Sequence, residues 1–266
     1  MEKIAIIPTY NEKDNIEAII AAVMALKKDF QVLIIDDGSP DGTASIVKSL
    51  FATYPGKLFL EERRGKQGLG TAYIHGFRWA LEKGYRFIFE MDADFSHNPN
   101  DLERLYIACK NGAGVAVGSR YTKGGAVENW PTDRILLSKG ASIYTRLITW
   151  MPVKDPTAGF VCYRHEVLEA INLSAIEFSG YAFQIEMKYA AWKLGFKIEE
   201  VPITFQDRKL GDSKMNKGIV KEGILGVLQL RWHSLFKNYR NKVQNTAFAT
   251  NNTSSFTQEE VAFESK

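Results

Sequence analysis

The triplet Asp92-Ala93-Asp94 directly follows an apolar stretch that ends Phe87-Ile88-Phe89-Glu90-Met91. One residue separates the two carboxylates. Alternate side chains of an extended chain share a side, which puts Asp92 and Asp94 together. Such oxygen ligands suit a hard divalent cation, Mg²⁺ or Mn²⁺, held by one or two carboxylates and completed by substrate phosphates. Taken alone, the triplet reads equally well as a solvated turn, so its neighbours must decide. Asp36-Asp37 closes the run Val32-Leu33-Ile34-Ile35. It reads either as a turn with acid near a helix's positive end or as carboxylates that accept hydrogen bonds from a base or ribose. Arg63-Arg64-Gly65-Lys66-Gln67-Gly68-Leu69-Gly70 is a basic, glycine-rich loop before a helix. Cations and backbone N–H groups there suit phosphate. Its glycines lack both dinucleotide-fingerprint and Walker spacing, which argues against NAD.

These residues need elements to hold them. Ile4-Ala5-Ile6-Ile7, Val32-Leu33-Ile34-Ile35, Leu58-Phe59-Leu60, Phe87-Ile88-Phe89 and Val115-Ala116-Val117 are continuously apolar, and helical patterns separate most of them. That order predicts a mostly parallel sheet covered on both faces. Ligands of such sheets bind outside the carboxyl ends of the strands. Pro8 to Glu12, Asp36-Asp37 and Asp92 to Asp94 all follow strands, so they converge on one edge. Ser39 is expected to cap the next helix with Pro40 at its first position. Further on, Arg134 to Trp150 and Tyr181 to Leu194 read as helices, Asp155 to Phe160 as a turn into a strand, and Lys197 to Phe205 as a strand. Met215 to Lys242 is a long helical pattern mixing Ile, Leu, Val and Trp with Lys and Arg. From Gln244 the composition predicts a disordered tail.

At 266 residues and 45% hydrophobic content the chain can bury one large core. A net charge of +3 gives no argument for nucleic acid. Cys109 and Cys162 have no metal-ligand spacing and read as small buried hydrophobes. Met1-Glu2-Lys3 runs straight into a strand, so no signal peptide is expected, and no uninterrupted apolar stretch of about 20 residues predicts a membrane span. The helical pattern at 215–242 reads either as peripheral contact with an anionic membrane surface or as a helix burying its apolar side against the domain. The one at 134–150 reads as the same contact or as part of an acceptor groove. No catalytic role is expected for His75, His97, His165 or His233.

Pro8-Thr9-Tyr10-Asn11-Glu12, Asp36-Asp37-Gly38-Ser39-Pro40-Asp41-Gly42-Thr43, Gly68-Leu69-Gly70 and Asp92-Ala93-Asp94 stand in the order and spacing of inverting family-two glycosyltransferases, which the chain resembles. Gly118-Ser119-Arg120-Tyr121 and Arg208-x-x-Gly211-x-Ser213-Lys214 narrow the resemblance to dolichol- or polyprenol-phosphate mannose synthases of the short form, without transmembrane helices. It covers residues 3 to 240. It implies a GT-A-like, Rossmann-like α/β fold with C-terminal amphipathic helices: a catalytic domain at 1–214, an interfacial region at 215–243 and the tail at 244–266. It further implies that Pro8, Tyr10, Glu12, Ile35, Asp36 and Asp37 hold the nucleoside. Asp92, Ala93 and Asp94 then lie at the diphosphate, with the two carboxylates at the metal. Arg120, Arg208 and Lys214 face the donor and acceptor phosphates, and Arg134, Ser138 and Ser213 lie near the acceptor phosphate. Ser96 stands where archaeal relatives often carry a metal-contacting Gln.

The implied reaction moves mannose from GDP-mannose to a polyprenyl phosphate at the cytoplasmic face of a membrane, with Mg²⁺ or Mn²⁺ as cofactor. The requirement for an integral-membrane partner stays open. The acceptor phosphate is already anionic at pH 7, its second pKa lying near ~6, so the chemistry asks for cations rather than a general base. A same-fold transferase using UDP-glucose or another nucleotide sugar, and a silent nucleotide-sugar-binding module, remain the competing readings.

Overall fold

The fold is that of a computed structural model, which describes residues 1–180, 182–207 and 217–241, with the backbone alone at 217–222. The chain alternates strands and helices: β1 (Lys3–Thr9), α1 (Ile16–Met24), β2 (Gln31–Asp36), α2 (Thr43–Ser49), β3 (Leu58–Glu62), α3 (Leu69–Glu82), β4 (Phe87–Glu90), α4 (Asp101–Lys110), β5 (Val115–Ser119), β6 (Ala126–Glu128), α5 (Thr132–Thr149), β7 (Val161–Arg164), α6 (His165–Ala170), α7 (Ala182–Lys193), β8 (Ile198–Pro202), β9 (Thr204–Gln206) and α8 (Lys217–His233). Seven strands form one sheet in the order β3-β2-β1-β4-β7-β5-β8. All its pairings are parallel except the two made by β7, which runs antiparallel to β4 and β5. This is the mostly parallel, helix-flanked architecture expected.

Alternation along the strands builds two cores. Ile4, Ile6, Leu33 and Ile35 face one side, where α3 and α7 bring Tyr73, Phe77 and Phe183. Ala5, Ile7, Val32 and Ile34 face the other, against Ile16, Ile19 and Ile20 of α1 and Leu102 and Leu105 of α4. Cys109 and Cys162 are free thiols buried in this second core, as their lack of metal spacing suggested. Gly70 lets α3 approach α7, because a Cβ there would stand 2.7 Å from the Phe183 ring.

Two expectations fail locally. Helix α2 starts at Thr43 after Gly42 in the left-handed region, rather than at Pro40. Ser39 is turned back to donate from Oγ to Asp36 Oδ1 at 2.6 Å, so it braces the strand end instead of capping the helix. The segment read as one strand over 197–205 is two: β8 joins the large sheet, whereas β9 pairs in parallel with β6 as a separate ribbon.

Helix α5 is built inside out. Ser138, Ser142, Thr145 and Thr149 are buried, whereas Leu136, Leu147 and Trp150 are 66%, 68% and 72% exposed. Thr145 and Thr149 donate their hydroxyls to the carbonyls of Ala141 and Thr145, which lets them be buried. Helix α8 divides differently: Val227 and Leu230 enter the core while Ile224, Leu225, Leu228 and Trp232 stay exposed. Tyr144 ties the two helices by donating to the Ile224 carbonyl at 3.0 Å. No helix among the described residues is long and apolar enough to cross a membrane.

Candidate active site

Parallel register brings the ends of β1, β2 and β4 to one edge, with Thr9 beside Asp36 and Ile6 beside Glu90. At the first two ends the carboxylates already have partners. Asp36 is buried and accepts from Thr9 Oγ1 at 2.9 Å, from Ser39 N at 2.9 Å and from Ser39 Oγ. These bonds fix the turn. Asp37 takes Arg63 Nε at 2.7 Å and the Gln67 N–H at 3.3 Å. The basic loop is thereby drawn onto the strand end, and Arg63 is spent on a carboxylate rather than left for a phosphate. Glu12 accepts from Asn15 Nδ2, while its own N–H is held by Thr43 Oγ1. Tyr10 is half-buried with the Lys66 ammonium 5.1 Å from its ring centre, and Pro8 is half-buried beside it. Ile35 is wholly buried in the core, so its side chain is no part of a nucleoside surface.

At the end of β4 the chain turns sharply. Phe95 adopts φ +60°, a left-handed value strained for an aromatic residue. Asp94 is buried and accepts the Ser96 N–H at 3.0 Å, whereas Asp92 is partly exposed. Ala93 is buried. Ser96 Oγ is buried with no hydrogen-bond partner among the described residues. Two carboxylates and an unspent hydroxyl form an all-oxygen donor set that could hold a hard divalent ion whose shell a diphosphate completes. No group of three or more His, Cys, Asp or Glu residues is placed for a metal among the described residues.

Sequence reasoning missed His97. It lies flat on Phe160 with ring centres 4.8 Å apart, and Phe205 meets it edge-on. The backbone N–H of Asp92 points to His97 Nδ1 at 3.4 Å, which makes that nitrogen the unprotonated one. Burial pushes the imidazole pKa well below its ordinary value. A neutral ring thus supports the Asp92 main chain.

Arg120 is buried against Asp155, which was read only as part of a turn. Asp155 accepts Arg120 Nε and Nη2, each at 2.7 Å, and the Arg120 N–H at 2.9 Å. Burial pushes the Asp155 carboxyl up, but the hydrogen bonds and charge of Arg120 outweigh it and hold the pKa below the ordinary value. Around the guanidinium stand the rings of Tyr121, Trp130 and Phe205, the last carried by the β6–β9 ribbon. Arg134 stacks on Trp130 at 3.9 Å and donates to Asp207 at 3.1 Å. Ser138, one turn further along α5, receives the Tyr121 hydroxyl at 2.6 Å. Arg208, Ser213 and Lys214 lie outside the described residues.

One cavity of about 600 Å³ joins these parts. Asp92, His97, Arg120, Arg134 and Ser138 line it, together with Leu136, Leu137, Ile224 and Val227 of α5 and α8. Pro8, Tyr10, Glu12, Asp36 and Asp37 share the sheet edge but do not line it. The arrangement can hold an anionic group beside Asp92 while an attached hydrocarbon lies between the two helices.

Residues 4–171 match the family model described as glycosyl transferase family 2. The chain is 45% identical over 226 residues to the polyprenol monophosphomannose synthase of Mycolicibacterium smegmatis, covering 85% of each protein. It is 44% identical over 239 residues to the undecaprenyl-phosphate mannosyltransferase of Micrococcus luteus, covering 88% of this chain and 98% of that one. Among solved structures, glucosyl-3-phosphoglycerate synthase from Mycobacterium tuberculosis superposes with a TM-score of 0.63 at 15% identity, over 86% of this chain and 80% of the other. Mannosyl-3-phosphoglycerate synthase from Rubrobacter xylanophilus gives 0.62 at 16%, over 93% and 80%. At such identities the likeness speaks for the fold alone.

Proposed function

The chain belongs to glycosyl transferase family 2, and we propose on that premise that it transfers mannose from GDP-mannose to a polyprenyl phosphate. The fold is GT-A-like. The observation that carries the reading is one cavity lined by Asp92 and Arg120 and also by leucine, isoleucine and valine from α5 and α8. A lipid phosphate needs both kinds of lining at once.

Asp92 and Asp94 would hold a divalent ion, Mg²⁺ or Mn²⁺, which would supply positive charge against the negative charge developing on the nucleoside diphosphate leaving group. The chain's own residues do the positioning. Tyr10 offers a ring face and Asp37 a carboxylate for the nucleoside. Arg120, fixed by Asp155, and Arg134, braced by Trp130, draw two anionic reactants together that would otherwise repel. Arg208, Ser213 and Lys214 join them on the strength of the sequence motif. Attack by an already ionised phosphate oxygen on the anomeric carbon, opposite the leaving group, inverts that centre and needs no general base.

The inside-out helix α5 supports peripheral membrane contact. Its leucines and Trp150, with Trp232 of α8 and the following Phe236, expose apolar surface that water penalises and a lipid interface accepts. A panel of GDP- and UDP-sugars offered with a short polyprenyl phosphate and Mn²⁺ tests the reaction. GDP-mannose is expected to give the lipid-linked product. Product from UDP-glucose alone overturns the donor, and no product from any donor overturns the transferase reading.

A further inference from the structure

Helix α7 lines the cavity with Gln184 and Ile185 and is buried along most of its length: Ala182 to Ala191 are all inside, including Gln184, Glu186 and Lys188. Polar groups survive in such a place only when paired. Glu186 is satisfied, since its carboxylate accepts the N–H groups of Glu177 and Phe178 and the Lys237 ammonium. Lys188 is satisfied too. Its ammonium donates to the carbonyls of Ala158 and Gln184, at 2.7 and 2.8 Å, and to Gln184 Oε1 at 3.3 Å. Burial pulls its pKa down to about 8, against the charges of Glu90 and Asp155 that face it.

The third bond of Lys188 has a consequence for Gln184. A lysine ammonium can only donate, so it fixes the amide with Oε1 toward Lys188 and the NH₂ group away from it. That nitrogen is buried and has no hydrogen bond of good geometry among the described residues. Burial pushes the Glu90 carboxyl up to about 8, and its contact with the Gln184 side chain works against that rise, although amide and carboxyl are poorly aligned for a hydrogen bond. Gln184 itself is 5% exposed and lines the cavity with Asp92, Arg120, Thr157 and Gly159. A Cβ at Gly159 would stand 3.7 Å from Nε2, so a larger residue there would cover the amide; glycine leaves it open. A buried NH₂ whose nearest acceptor is poorly aligned forfeits part of the roughly 1–3 kcal/mol at stake in such a bond, which a bound ligand would offset.

We propose that Gln184, oriented by Lys188 and uncovered by Gly159, donates a hydrogen bond to a hydroxyl of the donor's sugar and so sets sugar specificity. The inference rests on the nucleotide-sugar reading above and adds a residue to it. The chemistry of the acceptor group follows from what surrounds it. The charged phosphates have cations and a metal site; a neutral amide donor suits a neutral hydroxyl, whose direction differs between epimeric sugars. A site built to hydrogen-bond a hydroxyl discriminates strongly, because the wrong epimer leaves its donor bare.

The test compares wild type with Gln184→Ala and Gly159→Ala in the full chain, with thermal unfolding as the control for folding. Binding of GDP with Mn²⁺, of the nucleotide sugar that wild type prefers, and of its C2 and C4 epimers is measured by calorimetry, and the lipid KM by transfer. Gln184→Ala should weaken the preferred nucleotide sugar roughly 10-fold and bring its epimers within a few-fold of it, leaving GDP affinity and lipid KM unchanged. Gly159→Ala, whose new methyl group meets only ordinary contact distances, should move selectivity the same way by less. An equal loss of GDP and nucleotide-sugar affinity, a change confined to lipid KM, or unaltered epimer selectivity in both variants overturns the proposal. Failure of wild type to bind any nucleotide sugar would instead strike the function on which it rests.

Discussion

The ends of β1 and β2 and the groove between α5 and α8 treat their polar and apolar groups in opposite ways. At the strand ends, Asp36 and Asp37 are already bonded to Thr9, Ser39, Arg63 and Gln67. Around the cavity, the polar atoms Trp130 Nε1 and Arg134 Nε are buried without a hydrogen-bond partner among the described residues, while leucines of α5 face outward. The difference teaches which half is complete in the free protein. The strand-end carboxylates are fixed in advance, as preorganised binding requires; the cavity keeps polar groups that a bound ligand would satisfy.

The largest effect should come where the two halves meet. Asp94→Ala should lower kcat by about 10³-fold with an unfolding midpoint close to that of wild type; near-normal turnover would remove the metal assignment. Next comes the buried pair beneath it. Asp155→Asn leaves the Arg120 guanidinium buried without its counter-charge, and denaturant unfolding should show a loss of about 3–5 kcal/mol. The pH sign follows from the lowered pKa of Asp155. Its contribution to stability is fully present above the unfolded aspartate value near ~4 and is lost as pH falls through the still lower folded value. The acid limb of the stability curve should therefore be flatter in Asp155→Asn than in wild type.

The acceptor half should respond in a different parameter. Arg134→Ala should raise the KM for polyprenyl phosphate by about 10-fold without altering the KM for the donor. Equal changes in both would erase the division between the halves. The smallest effect belongs to the outward apolar surface. Trp150→Ser combined with Trp232→Ser should reduce flotation with anionic vesicles about 3-fold, and leave turnover of a short, water-soluble acceptor unchanged. Full recovery of that variant in the lipid fraction would end the case for interfacial contact.

The strand ends were legible because continuously apolar runs such as Ile4 to Ile7 and Val32 to Ile35 announce parallel strands, and parallel strands send their carboxyl ends to one edge. Direction was not legible for β7: Val161-Cys162-Tyr163-Arg164 is apolar like its parallel neighbours, and nothing in four residues marks reversal. The β6–β9 ribbon has three residues per strand, too few for a periodic signal. At the site, motif residues Asp92, Arg120 and Ser138 came together on one cavity. Their supports stayed hidden. Asp155 sat inside what looked like a turn, although a buried arginine demands a carboxylate somewhere. His97 and Gln184 act through contacts with residues far apart in the chain, which leave no pattern in it. Helix α5 was recognised as amphipathic, yet which face it would bury depends on hydroxyls bonding back to their own helix, which composition does not express.

The central claim is that Asp92 and Asp94 and the groove of α5 and α8 serve a single metal-dependent transfer. Labelled GDP-mannose incubated with a short polyprenyl phosphate, first with chelator and then with Mn²⁺ restored, tests it in one experiment. The account predicts that label enters the lipid only after the ion returns, and that Asp94→Ala stays silent throughout. Transfer at full rate under chelator, or label released to water while the lipid stays unmodified, would contradict it.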